Sequence, residues 1–291
     1  MSGNPDNQSL FGFLNIYKPV GMTSHDVVSV LRRVTKIKQI GHTGTLDPFA
    51  EGVLPICIGK ATRLIEYLQD DKEYLATVQF GAATNTFDLD GEKVFTSDKK
   101  VSRDDIKEGL KSFEGEISQL PPIFSAIKVK GKKLYEYARK GEEVEIQPRK
   151  VVIENIELKN FDEELQQAQI LLKCSKGTYI RSIANDLGKN LGCGGYLIKL
   201  IRTQAGKFRV ENSVQLDGID VESNLINPLD ILNFPKIAVD NDDLARIKNG
   251  MPIYKTCDKI GNFVSLIYND VEICAVGIAD GEKIKLKKVF I

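Results

Sequence analysis

Between Lys72 and Phe80 the side chains alternate, with Tyr74, Ala76, Val78 and Phe80 on one side and Leu75, Thr77 and Gln79 on the other. A period of two predicts a strand with one face buried. A chain with such a strand must supply both a sheet around it and a layer to cover that face. Phe11 to Tyr17 reads as a second, short buried strand ending at Lys18-Pro19, and Val151–Leu158 and Gln167–Cys174 read as two more. Ser24 is placed to cap a helix from about His25 to Ile37, with Val27, Val30, Leu31 and Val34 on one face. Ala61 to Leu68 reads as a helix, and Ser102 caps another that carries Ile106, Leu110 and Phe113. A further helix from about Tyr179 to Leu191 stops at Gly192, where a left-handed residue ends a helix well. Strands before and after helices, without a regular βαβ rhythm, predict an α+β fold: a mixed, mainly antiparallel sheet with flanking helices.

The 291 residues are enough for one large domain plus a small one. Forty basic residues balance forty acidic ones, so no global field advertises a polyanionic partner, although a local basic surface can serve as one. The five cysteines (Cys57, Cys174, Cys193, Cys257 and Cys274) are scattered and odd in number. That usage predicts reduced thiols in a cytoplasmic protein rather than a disulfide or zinc framework. Met1 to Ser9 is polar and lacks the apolar core of a signal peptide. No apolar run approaches the ~20 residues needed to cross a bilayer. A soluble, cytoplasmic, monomeric protein is expected.

Ahead of the alternating strand runs Gly41-His42-Thr43-Gly44-Thr45-Leu46-Asp47-Pro48, continued by Phe49-Ala50-Glu51-Gly52-Val53-Leu54-Pro55. It sets one carboxylate in a glycine-rich loop, five residues after one of the two histidines. Proline disfavours the α region for the residue before it, so Asp47 is biased toward extended or turn backbone. Gly41 and Gly44 permit positive φ and close approach of another chain or a ligand. On this local chemistry two readings stay open: a tight surface turn with Asp47 bonded to its own backbone, or a carboxylate presented as nucleophile or base.

The run GHTGTLDPFAEGVLPICIGKATR resembles the active-site motif of the TruB-type pseudouridine synthases. Lys18-Pro19-Val20-Gly21-Met22-Thr23-Ser24 resembles that family's amino-terminal KPxGxxS element, and Lys72-Glu73-Tyr74 its K-x-Y element. Ser175-Lys176-Gly177-Thr178-Tyr179-Ile180-Arg181-Ser182 resembles the segment that carries its active-site arginine, and Leu197 to Arg202 follows the family as well. The likeness spans roughly residues 10 to 210 in order and spacing.

The resemblance implies a pseudouridine synthase fold and isomerisation of the T-loop uridine (position 55) of transfer RNA. It makes Asp47 the essential aspartate and Arg181 the cation that holds and aims it. It makes Tyr74 the ring that stacks on the target uracil and Leu200 a wall of the uracil pocket. His42 would brace the space left when the uridine is flipped out, with Lys18 and Tyr179 as supporting residues. The local sequence gives separate support for Arg181. With Thr178 as the helix N-cap, Arg181 falls in the first turn, where a cation is disfavoured by about 0.3–1 kcal/mol, so it should have a partner elsewhere.

Two segments depart from the main body. Leu120 to Lys150 contains FSAIKVKGKKLYEYARKGEEVEIQPRK, with eight basic residues against four glutamates and Phe124, Tyr135 and Tyr137 interleaved. Cations for phosphate mixed with aromatics for bases suit an RNA-gripping element. The segment resembles the family's thumb insertion, with Lys130, Lys132, Lys133, Arg139 and Arg149 as the gripping residues. The second departure begins near Phe234-Pro235 and resembles a small PUA-type barrel. There Asp240 caps a short helix (Leu244, Ile247) ending at Gly250, with strands at Phe263–Tyr268, Val271–Val276 and Lys283–Ile291. Residues 1–233 are thus expected to form a catalytic domain and 235–291 a PUA-like RNA-binding domain.

Conversion of uridine to pseudouridine breaks the glycosidic C–N bond, turns the uracil and joins its C5 to the ribose. No electrons or groups enter or leave, so no cofactor is expected. The chain has no GxGxxG after a strand, no GxxxxGK[ST] and no metal-ligand cluster. Two other functions compete: an RNA-binding or RNA-folding protein with lost or secondary isomerase activity, and a glycosidic-bond hydrolase. The hydrolase would need a second acid, for which Glu51 lies nearby in the sequence.

Overall fold

The computed structural model describes residues 10–257 and 260–291. The polar start, Met1 to Ser9, lies outside the described residues. In chain order the elements begin β1 (Gly12–Lys18), α1 (Ser24–Thr35), β2 (Ile40–His42), β3 (Glu51–Ile58), β4 (Lys72–Phe80), β5 (Ala82–Thr84) and β6 (Lys93–Thr96). There follow α2 (Arg103–Lys111), β7 (Gly115–Gln119), β8 (Lys128–Val129), β9 (Lys132–Lys133), α3 (Leu134–Lys140), β10 (Arg149–Asp162), β11 (Gln167–Cys174), α4 (Ile180–Asn190) and β12 (Gly195–Ala205). The chain closes with β13 (Phe208–Arg209), β14 (Val214–Gln215), α5 (Pro228–Ile231), β15 (Lys236–Ala238), α6 (Asn241–Lys248), β16 (Phe263–Tyr268), β17 (Glu272–Asp280) and β18 (Lys283–Val289).

A ten-stranded sheet forms the body, in the order β14-β1-β3-β12-β4-β11-β10-β7, with β2 added on β3 and β13 on β12. The pairs β1–β14 and β3–β12 are parallel and the other neighbours antiparallel, so the sheet is mixed and mainly antiparallel as expected. Strand β4 is its middle. Tyr74, Ala76, Val78 and Phe80 all point into one core, which α2 and α4 cover with Ile106, Leu110, Ile183 and Leu187. Helix α1 covers Leu14, Ile16, Leu54 and Ile56 of β1 and β3 in a second core.

Local signals set several element ends. Ser102 caps α2, its hydroxyl and Asp105 completing a reciprocal capping box, and Asp240 with Asp243 does the same for α6. At α1 the cap is Thr23 rather than Ser24, because Asp26, at the third helical position, closes the box with Thr23. The buried face of α1 is Ser24, Val27, Val28, Leu31 and Thr35, while Val34 is exposed. The predicted Ala61–Leu68 helix is a 3₁₀ helix over Gly59–Tyr67. Thr178 does not cap α4; its hydroxyl donates to the Ser175 carbonyl and Tyr179 occupies the cap position.

The C-terminal part is an open four-stranded sheet, β15-β16-β17-β18, rather than a closed barrel. One face packs on α6 through Ile247, Val264, Leu266 and Ile284. From its other side Ile267, Ile273 and Val276, with Phe290, join Phe13, Val53, Leu229 and Leu232 in a core shared with the main body. Phe11 stacks on Phe290 at 5.1 Å, and the Tyr67 ring meets Phe263 at 4.9 Å. Among the described residues, no helix is long and apolar enough to cross a membrane.

Candidate active site

The loop between β2 and β3 carries Asp47, and three clamps from distant elements hold it. From α1, the Ser24 hydroxyl accepts from the Leu46 N–H at 2.8 Å and contacts the Leu46 carbonyl at 3.2 Å. From β1, the Lys18 ammonium donates to the carbonyls of Pro19 and Met22 at 2.7 Å and reaches that of Pro48 at 3.4 Å. From β12, Arg202 donates to the carbonyls of Val53, Gly44 and Thr45 at 2.6, 3.1 and 3.4 Å. Neither Gly41 nor Gly44 takes positive φ. Gly44 is instead a close-approach position, since a Cβ there would lie 3.3 Å from Cε of Lys72. The glycine whose backbone freedom the site requires is Gly52, at φ 105°, where a Cβ would strike the backbone of Arg202.

The backbone carbonyl of Asp47 accepts from the Ala50 N–H at 3.1 Å, but its carboxylate is not bonded into the turn. Its carboxylate keeps 36% of its surface and lies 2.9 Å from Nε of Arg181. That approach is a charge contact, because the Nε–H does not align as a hydrogen bond. Arg181, in the first turn of α4, is 5% exposed, and its remaining nitrogens are engaged. Nη1 donates to the Thr86 carbonyl at 3.0 Å and lies 3.4 Å from Asp88 Oδ2, and Nη2 donates to the Phe124 carbonyl at 3.0 Å. The guanidinium therefore has one direction left for Asp47.

A cavity of ≈ 330 Å³ opens over this pair, lined among others by Thr43, Gly44, Asp47, Lys72, Tyr74, Ser125, Lys176, Tyr179, Arg181 and Leu200. A larger cleft of ≈ 590 Å³ lies between β1 and the C-terminal sheet and holds neither Asp47 nor Arg181. Chemistry, not volume, marks the smaller one. Tyr74 is buried there and burial raises its phenol above the ordinary value, so the ring offers a neutral face. Leu200 is buried in the same wall. Tyr179 lines the cavity too, its backbone held by two hydrogen bonds with the Gln119 amide at 2.8 and 3.0 Å, and burial also raises its phenol.

Two of the expected site residues lie outside the cavity lining. Lys18, which its neighbour proline marks as a surface residue, is fully buried, and burial pushes its ammonium down to about 8. It braces the loop rather than lining the cavity. His42 ends β2 half-buried, with Nδ1 lacking any partner, and does not line the cavity. Burial, with Arg202 and His25 adding to it, holds its imidazole below the ordinary 6.5.

The insertion forms the β8–β9 hairpin followed by α3, with Lys130 and Gly131 at the turn in left-handed backbone. Lys132 lies 5.5 Å from the centre of the Tyr137 ring, and Lys133 and Arg139 each lie 5.4 Å from that of Tyr135. Arg149 stands apart at the start of β10, opposite Gln119. Among the described residues, no cluster of His, Cys, Asp or Glu is arranged to hold a metal ion.

Asp88 and Arg202 were not singled out from the sequence as site residues. Asp88-Leu89-Asp90-Gly91 reads as a turn, and Asp88 Oδ1 does accept from the Asp90 N–H at 3.2 Å as such turns do. Nothing local marks its other oxygen as the neighbour of Arg181. Arg202 is 0% exposed in the middle of a strand, where a charge requires a dedicated set of acceptors, and that burial is a tertiary fact.

Comparison with known proteins gives the family of the chain. Residues 32–180 match the family model of the TruB family pseudouridylate synthase N-terminal domain, and residues 181–228 that of the tRNA pseudouridylate synthase B C-terminal domain. The chain is 44% identical to the tRNA pseudouridine synthase B of Caldanaerobacter subterraneus subsp. tengcongensis, over 97% of this chain and all of that protein. It is likewise 44% identical to that of Carboxydothermus hydrogenoformans, over 96% of this chain and 98% of that protein. Among solved structures it superposes on a chain of an H/ACA RNP bound to a substrate RNA containing 2'-deoxyuridine, with TM-score 0.71 and 25% identity, covering 100% of this chain and 92% of that one. A chain of a Cbf5-Nop10-Gar1 complex gives TM-score 0.70 at 26% identity, covering 100% and 91%. The chain belongs to the TruB family of pseudouridylate synthases.

Proposed function

We propose that this protein is an isomerase that converts the T-loop uridine at position 55 of transfer RNA to pseudouridine, with Asp47 as its catalytic carboxylate. The observation that carries the reading is the Asp47–Arg181 pair at 2.9 Å, half-open to a cavity beside the Tyr74 ring. The membership of the chain in the TruB family supports the substrate. The reaction only rearranges bonds within one nucleotide: the C–N glycosidic bond breaks, a C–C bond to C5 forms, and the proton lost from C5 is balanced by one taken up at the freed ring nitrogen. An ionised carboxylate can act in such a step as nucleophile or base. Arg181, 2.9 Å away and held by the Thr86 and Phe124 carbonyls, aims it.

Tyr74 and Leu200 take the faces of the flipped uracil, and Tyr179 closes the wall. Flipping costs a few kcal/mol of stacking, which the insertion offsets through contacts of Lys130, Lys132, Lys133, Arg139 and Arg149 with phosphate. His42 braces the RNA outside the cavity, and Lys18 secures the loop. Residues 1–233 act as the catalytic domain and residues 235–291 as an accessory RNA-binding domain, in a cytoplasmic monomer. Incubation with unmodified transfer RNA, followed by mapping of pseudouridine, tests the reading. Asp47→Asn should bind RNA as well as wild type and form no product; turnover by that variant would remove Asp47 from the mechanism.

A further inference from the structure

Ser125, in the insertion, is 6% exposed and lines the Asp47 cavity, yet its Oγ makes no hydrogen bond. A buried hydroxyl in that state is uncommon, because its lost hydration is not replaced. The Tyr179 hydroxyl stands beside it without completing a bond. The backbone around Ser125 is fully engaged. Its N–H donates to the Ile123 carbonyl at 2.9 Å, and its carbonyl accepts from the Tyr135 N–H at 3.1 Å. One residue earlier, the Phe124 carbonyl accepts from Arg181. The hydroxyl is thus held at the cavity wall by main-chain bonds on both sides, with its own donor and acceptor capacity unspent.

We propose that Ser125 recognises the reacting nucleotide, its hydroxyl donating to a carbonyl oxygen on the rim of the uracil ring. The inference rests on the isomerase reading above. A pyrimidine is flat and apolar on its faces and polar only at its rim. Tyr74 and Leu200 supply the apolar walls of this cavity, and Asp47 and Arg181 face each other. Of the described side chains lining the cavity, the buried polar atoms without a hydrogen-bond partner are the Ser125 hydroxyl and Arg181 Nε; Nε faces Asp47, which leaves the Ser125 hydroxyl to meet the rim. The insertion then grips the RNA and also completes the base pocket, and the same short segment holds Arg181.

The test is a cycle between residue 125 and the substrate. Single-turnover rates at saturating enzyme are measured on a T-arm RNA with uridine, 2-thiouridine or 4-thiouridine at the reacting position. Sulfur is the poorer acceptor, so one thio substrate should slow wild type. Ser125→Ala should slow uridine by up to about tenfold, the worth of one neutral hydrogen bond. In that variant the penalty of the same thio substrate should vanish, and Ser125→Thr, which keeps the hydroxyl, should recover most of the rate. The inference is overturned if both thio substrates react with wild type as fast as uridine, an arm that needs no variant to fold. It is also overturned if Ser125→Ala matches wild type, or if the two penalties simply multiply. Wild type that forms no pseudouridine on any of these RNAs or on whole transfer RNA rejects the isomerase reading itself, and this inference with it.

Discussion

Nη1 of Arg181 lies 3.4 Å from Oδ2 of Asp88, so the guanidinium that faces Asp47 is also neighbour to a second, buried carboxylate. Asp88 fixes the guanidinium from behind its contact with the Thr86 carbonyl, and its own Oδ1 is held by the Thr86 hydroxyl at 2.5 Å. Asp88→Asn should lower kcat by roughly 10–100-fold with little change in KM, because the guanidinium loses the buried charge behind it. Burial raises the Asp88 carboxyl above its ordinary 3.8. As pH falls, Asp88 therefore takes up its proton earlier than a free carboxyl and Arg181 loses that charge. The acid limb of kcat should therefore move to lower pH in Asp88→Asn, which has no carboxyl behind the guanidinium to take up a proton. A variant with the wild-type pH profile would show that Asp88 does not act through Arg181.

Arg202 serves three backbone carbonyls with one fork. A lysine cannot reproduce that geometry, and each buried carbonyl left unpaired costs about 1–3 kcal/mol. Arg202→Lys should destabilise the protein by roughly 2–5 kcal/mol in urea unfolding and lower activity through a loosened Asp47 loop. Unfolding at the wild-type midpoint would assign the loop's rigidity to the Ser24 and Lys18 clamps alone.

Lys132 and Lys133 of the insertion stand over tyrosine rings, and Lys132 also lies 3.7 Å from Glu142. Contacts of such groups with phosphate release counterions, so binding should weaken with salt. Replacing Lys130, Lys132 and Lys133 together with glutamate should flatten the plot of log Kd against log salt, each lost contact removing about 0.7–0.9 from the slope. An unchanged slope would move the RNA-binding face elsewhere.

Phe290 is buried, stacks on Phe11, and belongs to the core that β1 and β3 share with the C-terminal sheet. Removing residues 235–291 would expose Phe13 and Val53. The truncated chain should be poorly soluble and melt lower, and Phe290→Ala should cost about 3 kcal/mol. A soluble truncation with full kcat on a T-arm stem-loop would make the sheet an appendage that only binds RNA.

Much of the local structure was legible from neighbours in sequence. The alternation through Tyr74 and Phe80 marks β4, and Ser102 with Asp105 and Asp240 with Asp243 mark two helix starts. The choice of Thr23 over Ser24 as cap was also local, decided by Asp26. What escaped were roles that depend on a distant partner and that the family resemblance did not supply. Ser24 looks like a cap but holds Leu46, and Lys18 looks exposed but is buried under Pro48. Asp88 looks like a turn residue but faces Arg181, and the insertion reads as a basic grip but also lends the Phe124 carbonyl and the Ser125 hydroxyl to the cavity.

By itself the sequence determined the family and the α+β character, because motif spacing and periodicity are properties of contiguous residues, and the family resemblance in turn implied Asp47 and Arg181 as a pair. Tertiary structure alone decided how Asp47 is held. The carbonyls of Gly44, Thr45 and Val53 meet Arg202 across some 150 residues or more of chain. The register that places Gly52 opposite Arg202 brings them together. Burial and partnership of a charge are fixed by what the sheet and helices bring near it, and a local pattern carries no record of that.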